Sequence, residues 1–182
     1  EHLVALGHRH IVHIGGPDHV HIERERLAGF QAVLAQHSFP PAQVIQMPDW
    51  RFESGYAAMR HLLAAIEPAQ LAQGNPPFTA VFCAGDPLAI GCLHALDEQS
   101  LPVPETISVI SVDDIDLAAY FSPPLTTVSQ FIDRMGALAA ELLLGILSGH
   151  NPDPVRQVIA PELIVRRSTA APRRLQVGIT PL

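Results

Sequence analysis

Four short apolar runs alternate with longer stretches of helical periodicity, and this alternation constrains the fold more than any other feature of the sequence. The apolar runs cover residues 10–16, 43–47, 78–85 and 107–112. Between them, apolar side chains recur at helical spacing over 22–37, 52–66 and 86–99. Continuously apolar strands that alternate with helices are typical of parallel sheets covered on both faces. We therefore predict an α/β fold with an open, mostly parallel sheet.

A further helical stretch, at residues 131–149, differs from the others because only three of its side chains are charged. It is apolar over most of its circumference, and a helix of that kind must be buried to be stable. Two short extended runs follow, at 155–160 and 162–167. The tail from Ala170 is interrupted by prolines and has no periodic pattern, so we expect it to be poorly ordered.

The charge balance argues against direct contact with nucleic acid. The formal net charge is −7, and all 11 basic residues are arginines. A protein that binds a phosphate backbone needs clustered basic side chains, and this sequence has no such stripe. Any role with DNA would therefore depend on another part of the protein.

Cys83 and Cys92 lie inside apolar segments rather than in loops. Buried free thiols are therefore predicted, with a disulfide between them as the weaker alternative, and free thiols fit a reducing compartment such as the cytoplasm.

The sequence lacks a run of about 18 uncharged apolar residues, so a membrane-spanning helix is not predicted. The first residues read like the middle of a helix, and the sequence looks like a piece of something longer.

Polar residues follow the apolar runs, and in an open parallel sheet ligands bind beyond the carboxyl ends of the strands. The candidates, in chain order, are Arg26, Trp50, Asp86, Asp113 and Asp114. Carboxylate and guanidinium groups bond neighbouring hydroxyls, and a flat aromatic ring stacks on a sugar or a base. The predicted edge of the sheet therefore suits a small polar ligand.

Two of these carboxylates have a simpler interpretation. Asp86 stands at the start of a predicted helix, where an aspartate usually caps the helix, and Asp114 would cap a short helix in the same way. The single tryptophan is different, because exposing so large a ring to solvent brings no stability. Trp50 therefore favours a ligand contact.

Ten histidines raise the question of a metal site, and the nearest pairs are His8 with His10 and His19 with His21. No third ligand stands at a convincing spacing, so neither a metal nor another cofactor is predicted. The usual phosphate-binding, dinucleotide-binding and nucleophile motifs are missing as well. The sequence therefore predicts a binding protein rather than an enzyme.

The segments HLVALGHRHIVHIGGP, RERLAGF, DWRFESGYAAM, FTAVFCAGDPLAIGCLHAL, LPVPETISVISVDD, PPLTTVSQ and ELIVRRSTA follow one another between residues 2 and 170. In this order and spacing, the chain resembles the effector-binding core of the LacI/GalR family of bacterial transcription regulators. The resemblance implies a type I periplasmic-binding-protein fold with two α/β subdomains around a cleft. This chain would supply largely the C-terminal subdomain.

The same resemblance divides the chain into parts. Residues 1–128 would form the C-terminal effector-binding subdomain, and 129–150 a crossing segment with a helix that belongs to the N-terminal subdomain. Residues 151–170 would return to the C-terminal subdomain, and 171–182 would form a tail. Family members also have a helix-turn-helix and a first half of the core that this sequence lacks, so it looks like a fragment or a degenerate copy.

The resemblance implies four effector contacts, namely Arg26, Trp50, Asp113 and Gln130. Arg26 would bond hydroxyls or a carboxylate of the effector, Asp113 would accept hydrogen bonds from it, and Trp50 would stack on its ring. Gln130 would reach the cleft from the hinge. Gly85 departs from the pattern, because many sugar-binding members have an asparagine there. The expected effector is therefore a small polar metabolite, either sugar-like or nucleoside-like.

The resemblance also implies a homodimer, formed by the helix at 86–99 and the segment near Phe121. The candidate interface residues are Ile90, Leu93, His94 and Phe121. In the alternative interpretation, Ile90 and Leu93 pack only on the sheet of their own chain. Operator DNA would be a partner through a domain missing from this sequence, and no membrane partner is expected.

The leading hypothesis is a cytoplasmic allosteric sensor, in which a bound effector biases the closure of two subdomains. The main alternative is a periplasmic sugar- or solute-binding protein of a transporter, which would require a secretion signal in the complete gene. The segments PPLTTV and RRST favour the regulator. An enzyme on the same scaffold would need a nucleophile or general base besides the aspartates.

Overall fold

The computed structural model describes residues 1–149 and 156–173. Its helices are α1 His2–Ala5, α2 His21–Gln36, α3 Phe52–Ala64, α4 Pro68–Ala72, α5 Asp86–Glu98, α6 Asp116–Tyr120 and α7 Ile132–Leu147. Its strands are β1 Ile11–Gly15, β2 Val44–Gln46, β3 Ala80–Cys83, β4 Ser108–Asp113, β5 Thr126–Ser129 and β6 Glu162–Ile164. Strands and helices alternate along most of the chain, as predicted.

The six strands form one sheet in the order β2-β1-β3-β4-β5-β6. Every neighbouring pair is parallel except β5 and β6, which run antiparallel. Parallel neighbours need a crossover connection, and α2, α3, α5 and α6 lie in those connections. The prediction of an open, mostly parallel α/β sheet is confirmed.

Side-chain alternation within the strands builds two apolar cores, one on each face of the sheet. Val12 and Ile14 of β1 join the larger core, which packs beneath α3 and α5. Ile11, which precedes Val12 and points to the opposite face, joins a smaller core with Leu34 of α2. Successive side chains of a strand point to opposite faces, so a run that is apolar throughout is buried on both. Burial of each such side chain contributes roughly 1.5–3 kcal/mol.

Helices α3 and α5 approach each other closely because each has a glycine at the contact. A Cβ atom on Gly55 would overlap the carbonyl of Leu88, and one on Gly91 would overlap the carbonyl of Phe52. The backbones therefore touch without an intervening side chain, and these contacts hold α5 over the larger core.

The Sγ atoms of Cys83 and Cys92 lie 3.7 Å apart in the larger core, and both thiols are free, as predicted.

Helix α7 is apolar but buries none of its side chains in this chain. Ile132, Leu143, Leu144 and Leu147 are all more than half exposed. The burial that its apolar sequence requires is therefore not supplied by the described part of this chain. None of the described helices is long and apolar enough to cross a membrane.

Several shorter elements differ from the prediction. Helix α4 and strand β5 were not predicted, whereas the short helix expected after Asp114 is present as α6. Residues 156–160 form no strand, so the first of the two expected return strands is absent there. The second exists as β6. Ala170 is anchored rather than loose, because its carbonyl contacts the side chains of His8 and Ser108. The rest of the expected disordered tail, residues 174–182, lies outside the described residues.

Candidate functional site

The carboxyl ends of β1, β3, β4 and β5 meet at one edge of the sheet because these strands are parallel. Asp113, the last residue of β4, is paired in register with Ser129, the last residue of β5. Gln130 follows directly, and Arg26 reaches the same edge from α2, which follows β1. This edge is where the sequence predicts the binding site.

Asp113 lies at the centre of a cluster that joins three of the four predicted contact residues. The amide Nε2 of Gln130 donates to its Oδ1 at 2.7 Å, and Nη2 of Arg26 lies 3.3 Å from the same oxygen. Arg26 also donates to the carbonyl of Ala84, just beyond β3. These side chains are only partly exposed, so each has a fixed geometry and one face toward solvent.

The backbone at the end of β4 is unusual. Asp113 has φ 125° and Asp114 has φ 60°, a region that residues other than glycine rarely adopt. Strained conformations of this kind persist where the surrounding structure holds them, and they concentrate at functional sites. Burial raises the pKa of Asp113 above its ordinary value, and the nearby Arg26 guanidinium opposes this without cancelling it. The carboxylate is therefore incompletely solvated.

Trp50 follows β2, and its half-buried indole ring lies against Gly16 and Gly85, which stand just beyond the ends of β1 and β3. A Cβ atom on Gly16 would overlap the indole. A Cβ atom on Gly85 would lie 3.5 Å from Cδ1 of Trp50 and 3.1 Å from Oδ2 of Asp113. Gly85 therefore occupies the space between the indole and the carboxylate. The structure thus brings together all four predicted contact residues at the same edge.

The sequence did not predict that His13 and Glu23 lie beside Trp50. Nε1 of Trp50 donates to Oε2 of Glu23 at 3.2 Å, and Nε2 of His13 lies 3.3 Å from Oε1 of Glu23. Burial alone would raise the pKa of Glu23, but hydrogen bonds from His13, the Gly16 N–H and Trp50 outweigh it and lower that pKa. A histidine within an apolar strand is a usable signal, since a buried polar group needs a partner.

The predicted role of Asp86 as a helix cap is wrong. Gly85 is the N-cap residue of α5, and Asp86 is fully buried beneath the strand ends. Its carboxylate accepts hydrogen bonds from Ser111 Oγ at 2.5 Å, Thr127 Oγ1 at 2.6 Å and the Ile115 N–H at 2.8 Å. Asp86 therefore ties β4, β5 and the loop before α6 to the start of α5.

Asp114 does not cap a helix either. Helix α6 has Ile115 as its N-cap, without a side-chain capping bond. The carboxylate of Asp114 instead pairs with Nη2 of Arg166 at 2.6 Å, and Nη1 of Arg166 donates to the carbonyl of Leu125. This ion pair joins the end of β4 to the segment after β6. Both capping predictions failed because the partners are distant in sequence.

The histidine pairs form no cluster that would suit a metal. Across residues 1–149 and 156–173, no group of three or more His, Cys, Asp or Glu side chains converges on a point. His8 has a structural role, since Nδ1 lies 2.8 Å from Thr79 Oγ1 and Nε2 lies 2.8 Å from the Ala170 carbonyl.

The four candidate interface residues divide into two kinds. Ile90 and Leu93 are buried within their own chain, with 6% and 3% of their surface exposed, whereas His94 is exposed and Phe121 is partly exposed. A surface groove brings three of them together. Its lining includes Phe52, Ile90, His94, Leu117 and Phe121. Leu93 contributes to the core instead.

The family model described as "Periplasmic binding protein-like domain" matches residues 1–169. The chain is 40% identical over 170 residues to the HTH-type transcriptional repressor PurR of Escherichia fergusonii, an alignment that covers 93% of this chain and 47% of that relative. The chain thus spans about half the length of such curated relatives.

Solved structures agree with this match. The Escherichia coli transcriptional repressor ascG superposes with a TM-score of 0.81 and 30% identity, covering 93% of this chain and 59% of that one. A dimeric Lac repressor with an 11-residue C-terminal deletion gives a TM-score of 0.80 and 32% identity, covering 94% of this chain and 59% of that one.

Proposed function

The chain belongs to the periplasmic binding protein-like domain family, as the effector-binding domain of a LacI/GalR-type transcription regulator, and from this premise we propose that it senses a small polar metabolite. The effector is sugar-like or nucleoside-like, and it binds at the carboxyl edge of the sheet. The site works by binding and not by catalysis, in keeping with the repressors that the chain resembles.

One observation carries the proposal, namely the cluster of Arg26, Asp113 and Gln130 beside the Trp50 indole. Guanidinium, carboxylate and amide together offer donors and acceptors on one small surface, which suits neighbouring hydroxyls or the edge of a base. The indole offers a flat apolar face next to them. A single arginine balanced by a single aspartate favours a ligand without a large net charge.

Effector binding is coupled to the crossing between subdomains through Gln130. The next residue, Phe131, has the left-handed conformation φ 51°, ψ 51°, and α7 begins immediately after it. In the proposed division, residues 1–128 and 151–170 form one subdomain, while 129–150 cross to the other. An effector that contacts Gln130 more favourably in one arrangement of α7 shifts the population toward that arrangement.

The exposed apolar side of α7 supports the proposed crossing. Leu143, Leu144 and Leu147 would be covered by the other subdomain of the regulator, since a contiguous apolar face of this kind marks an interaction site. The subdomain and its DNA-binding head would lie outside this sequence. Operator DNA is then a partner of the whole regulator, which acts in the cytoplasm.

A homodimer is proposed through the groove at α3, α5 and α6. Phe52 and Leu117 are each 43% exposed there, beside His94 and Phe121. The Lac repressor structure that this chain resembles is described as dimeric. Ile90 supports the floor of the groove rather than its outer surface.

The test is a thermal-shift screen of sugars, nucleosides and polyols against the complete regulator, followed by calorimetry on any compound that raises the melting temperature. Asp113→Asn removes the charged acceptor and is expected to weaken binding of such a compound at least tenfold, or by about 1.4 kcal/mol. Asp97→Asn, on an exposed part of α5, is the matched control. Unchanged affinity in Asp113→Asn would overturn the site assignment.

A further inference from the structure

A buried histidine–glutamate pair lies behind the proposed site and is not one of its ligand contacts. The side chains of His13 and Glu23 are both 0% exposed, and His13 Nε2 lies 3.3 Å from Glu23 Oε1. Burying such groups costs several kcal/mol unless their hydrogen-bonding capacity is used. A pair of this kind therefore needs a reason beyond stability.

Each ring nitrogen of His13 has an acceptor beside it. Nδ1 lies 3.0 Å from the carbonyl oxygen of Phe82, which can only accept, and Nε2 faces the Glu23 carboxylate. A neutral imidazole has one N–H, so two acceptors require an additional proton on His13 or on Glu23. The pair therefore holds one proton between Nε2 of His13 and the Glu23 carboxylate.

The imidazole is held firmly in place. Its ring centroid lies 4.9 Å from that of Phe82 and 5.3 Å from that of Phe30, so the two aromatic rings pack around it. Glu23 is held by His13 on one carboxylate oxygen, and its other oxygen accepts from the indole of Trp50 at 3.2 Å. The chain of contacts therefore runs from the interior of the sheet to the wall of the site.

Two adjacent glycines make room for this arrangement. A Cβ atom on Gly15 would overlap Oε1 of Glu23, and one on Gly16 would overlap the indole of Trp50. A side chain at either position would displace the carboxylate or the ring. The double glycine at the end of β1 is thus explained by the groups that pack on it.

We propose that His13 and Glu23 are positioning residues that hold the Trp50 indole in a single orientation at the wall of the effector site. This inference rests on the proposed function. The indole N–H is occupied by Glu23, so Trp50 presents its ring to a ligand and does not donate to it. Asp113 and Arg26 supply the polar contacts beside a wall of constant shape.

The experiment uses this chain, whose single tryptophan makes its fluorescence a direct report on Trp50. Acrylamide quenching and fluorescence anisotropy are measured in three variants. Glu23→Ala removes the acceptor, and the quenching constant is expected to rise about twofold with lower anisotropy. Glu23→Gln keeps an oxygen toward the indole and an amide toward a neutral His13, so it should restore values near those of the parent.

Glu25→Ala is the matched control, because Glu25 lies on the same helix with its side chain 61% exposed. It should leave Trp50 unchanged. If Glu23→Ala lowers stability but leaves quenching and anisotropy unchanged, the pair is only structural and the proposal is wrong. The same conclusion follows if Glu23→Gln loosens Trp50 as much as Glu23→Ala does.

A measurement on the unsubstituted chain covers the case in which Glu23→Ala fails to fold. The single indole N–H gives one nitrogen-15 resonance, and its exchange with solvent is expected to be at least about tenfold slower than that of free indole. Exchange at the free rate would overturn the proposal. Because no ligand is involved, this outcome is independent of the effector screen.

Discussion

Asp86 follows β3 and Asp113 ends the neighbouring strand β4, and their carboxylates lie in different surroundings. Asp86 is fully buried and accepts three hydrogen bonds from neutral donors. Asp113 is one-quarter exposed, with a strained backbone and a charged neighbour in Arg26. Two identical side chains at one edge of a sheet therefore differ in burial and in partners, which suits Asp86 to a structural role and Asp113 to the proposed ligand contact.

The largest expected effect tests whether Asp86 stabilises the fold. Asp86→Ala leaves the hydroxyls of Ser111 and Thr127 and the Ile115 N–H without their buried acceptor. We expect the free energy of unfolding to fall by about 2–4 kcal/mol. Urea denaturation measures it, with Asp97→Ala as an exposed control that should change it by less than about 0.5 kcal/mol. If Asp86→Ala lowers the free energy of unfolding only slightly, Asp86 is not the structural carboxylate of the two.

Asp113→Asn tests whether Asp113 acts in ligand binding rather than in stability. The charged form is disfavoured by burial, which is why the pKa of Asp113 is raised. Replacing it by a neutral amide should therefore leave the free energy of unfolding within about 1 kcal/mol of the parent, despite the loss of the Arg26 pair. The same substitution is expected to abolish most effector affinity. A large loss of stability would mean that Asp113, like Asp86, is mainly structural.

Acid titration distinguishes the contribution of Asp113 to folding stability from that of Glu23, because the two contributions change with pH in opposite directions. The pKa of Asp113 is raised in the folded state, so its contribution favours folding at low pH and is lost as the pH rises through that value. The pKa of Glu23 is lowered, so its contribution is present above the unfolded value and is lost as the pH falls through the folded value. Urea denaturation across pH 3–7 (roughly the range in which carboxyls titrate) checks both.

The variants Asp113→Asn and Glu23→Gln show which residue causes which part of the pH dependence. Each should remove its own residue's contribution to the pH dependence of the free energy of unfolding and leave the other contribution in place. Effector affinity should fall on acidification as Asp113 becomes protonated, because the neutral acid is a weaker acceptor. A pH profile unaffected by either substitution would contradict the assigned pKa directions.

The smallest expected effect concerns the space between the indole and Asp113. Gly85→Ala would place a methyl group 3.1 Å from Asp113 Oδ2 and 3.5 Å from Trp50 Cδ1. We expect a stability change of less than about 1 kcal/mol, a small shift in Trp50 emission and a severalfold loss of effector affinity. Gly29→Ala, where a Cβ meets no atom within 4 Å, is the control. Equal effects in both variants would contradict a packed site at residue 85.

Much of the site could be predicted because parallel strands place their carboxyl ends side by side. Arg26 and Asp113 are 87 residues apart, yet each follows or ends a predicted strand, and together with the resemblance this placed them at one edge. Glu23 could not be found in that way. It lies within a helix of weak amphipathicity, and only its contacts with His13 and Trp50 distinguish it from the exposed Glu25 two residues later.

Strand β5 shows a similar difference. Thr126 and Thr127 are fully buried, but hydroxyl side chains interrupt the apolar pattern on which the other strands were predicted. Their hydroxyls are satisfied by Thr169 and Asp86, residues remote in sequence. A strand whose polar groups are paired through tertiary contacts gives no local apolar signal.

The sequence by itself determined the alternation of the first four strands with helices, the two-faced burial of the sheet and the edge at which a ligand would bind. These follow from side-chain periodicity and from the direction of parallel strands, which are local properties. Only the tertiary structure decided which carboxylate is enclosed, which remains open, and which holds the indole. Those roles depend on desolvation and on hydrogen-bond partners between 10 and 87 residues away, such as Glu23 for His13 and Arg26 for Asp113.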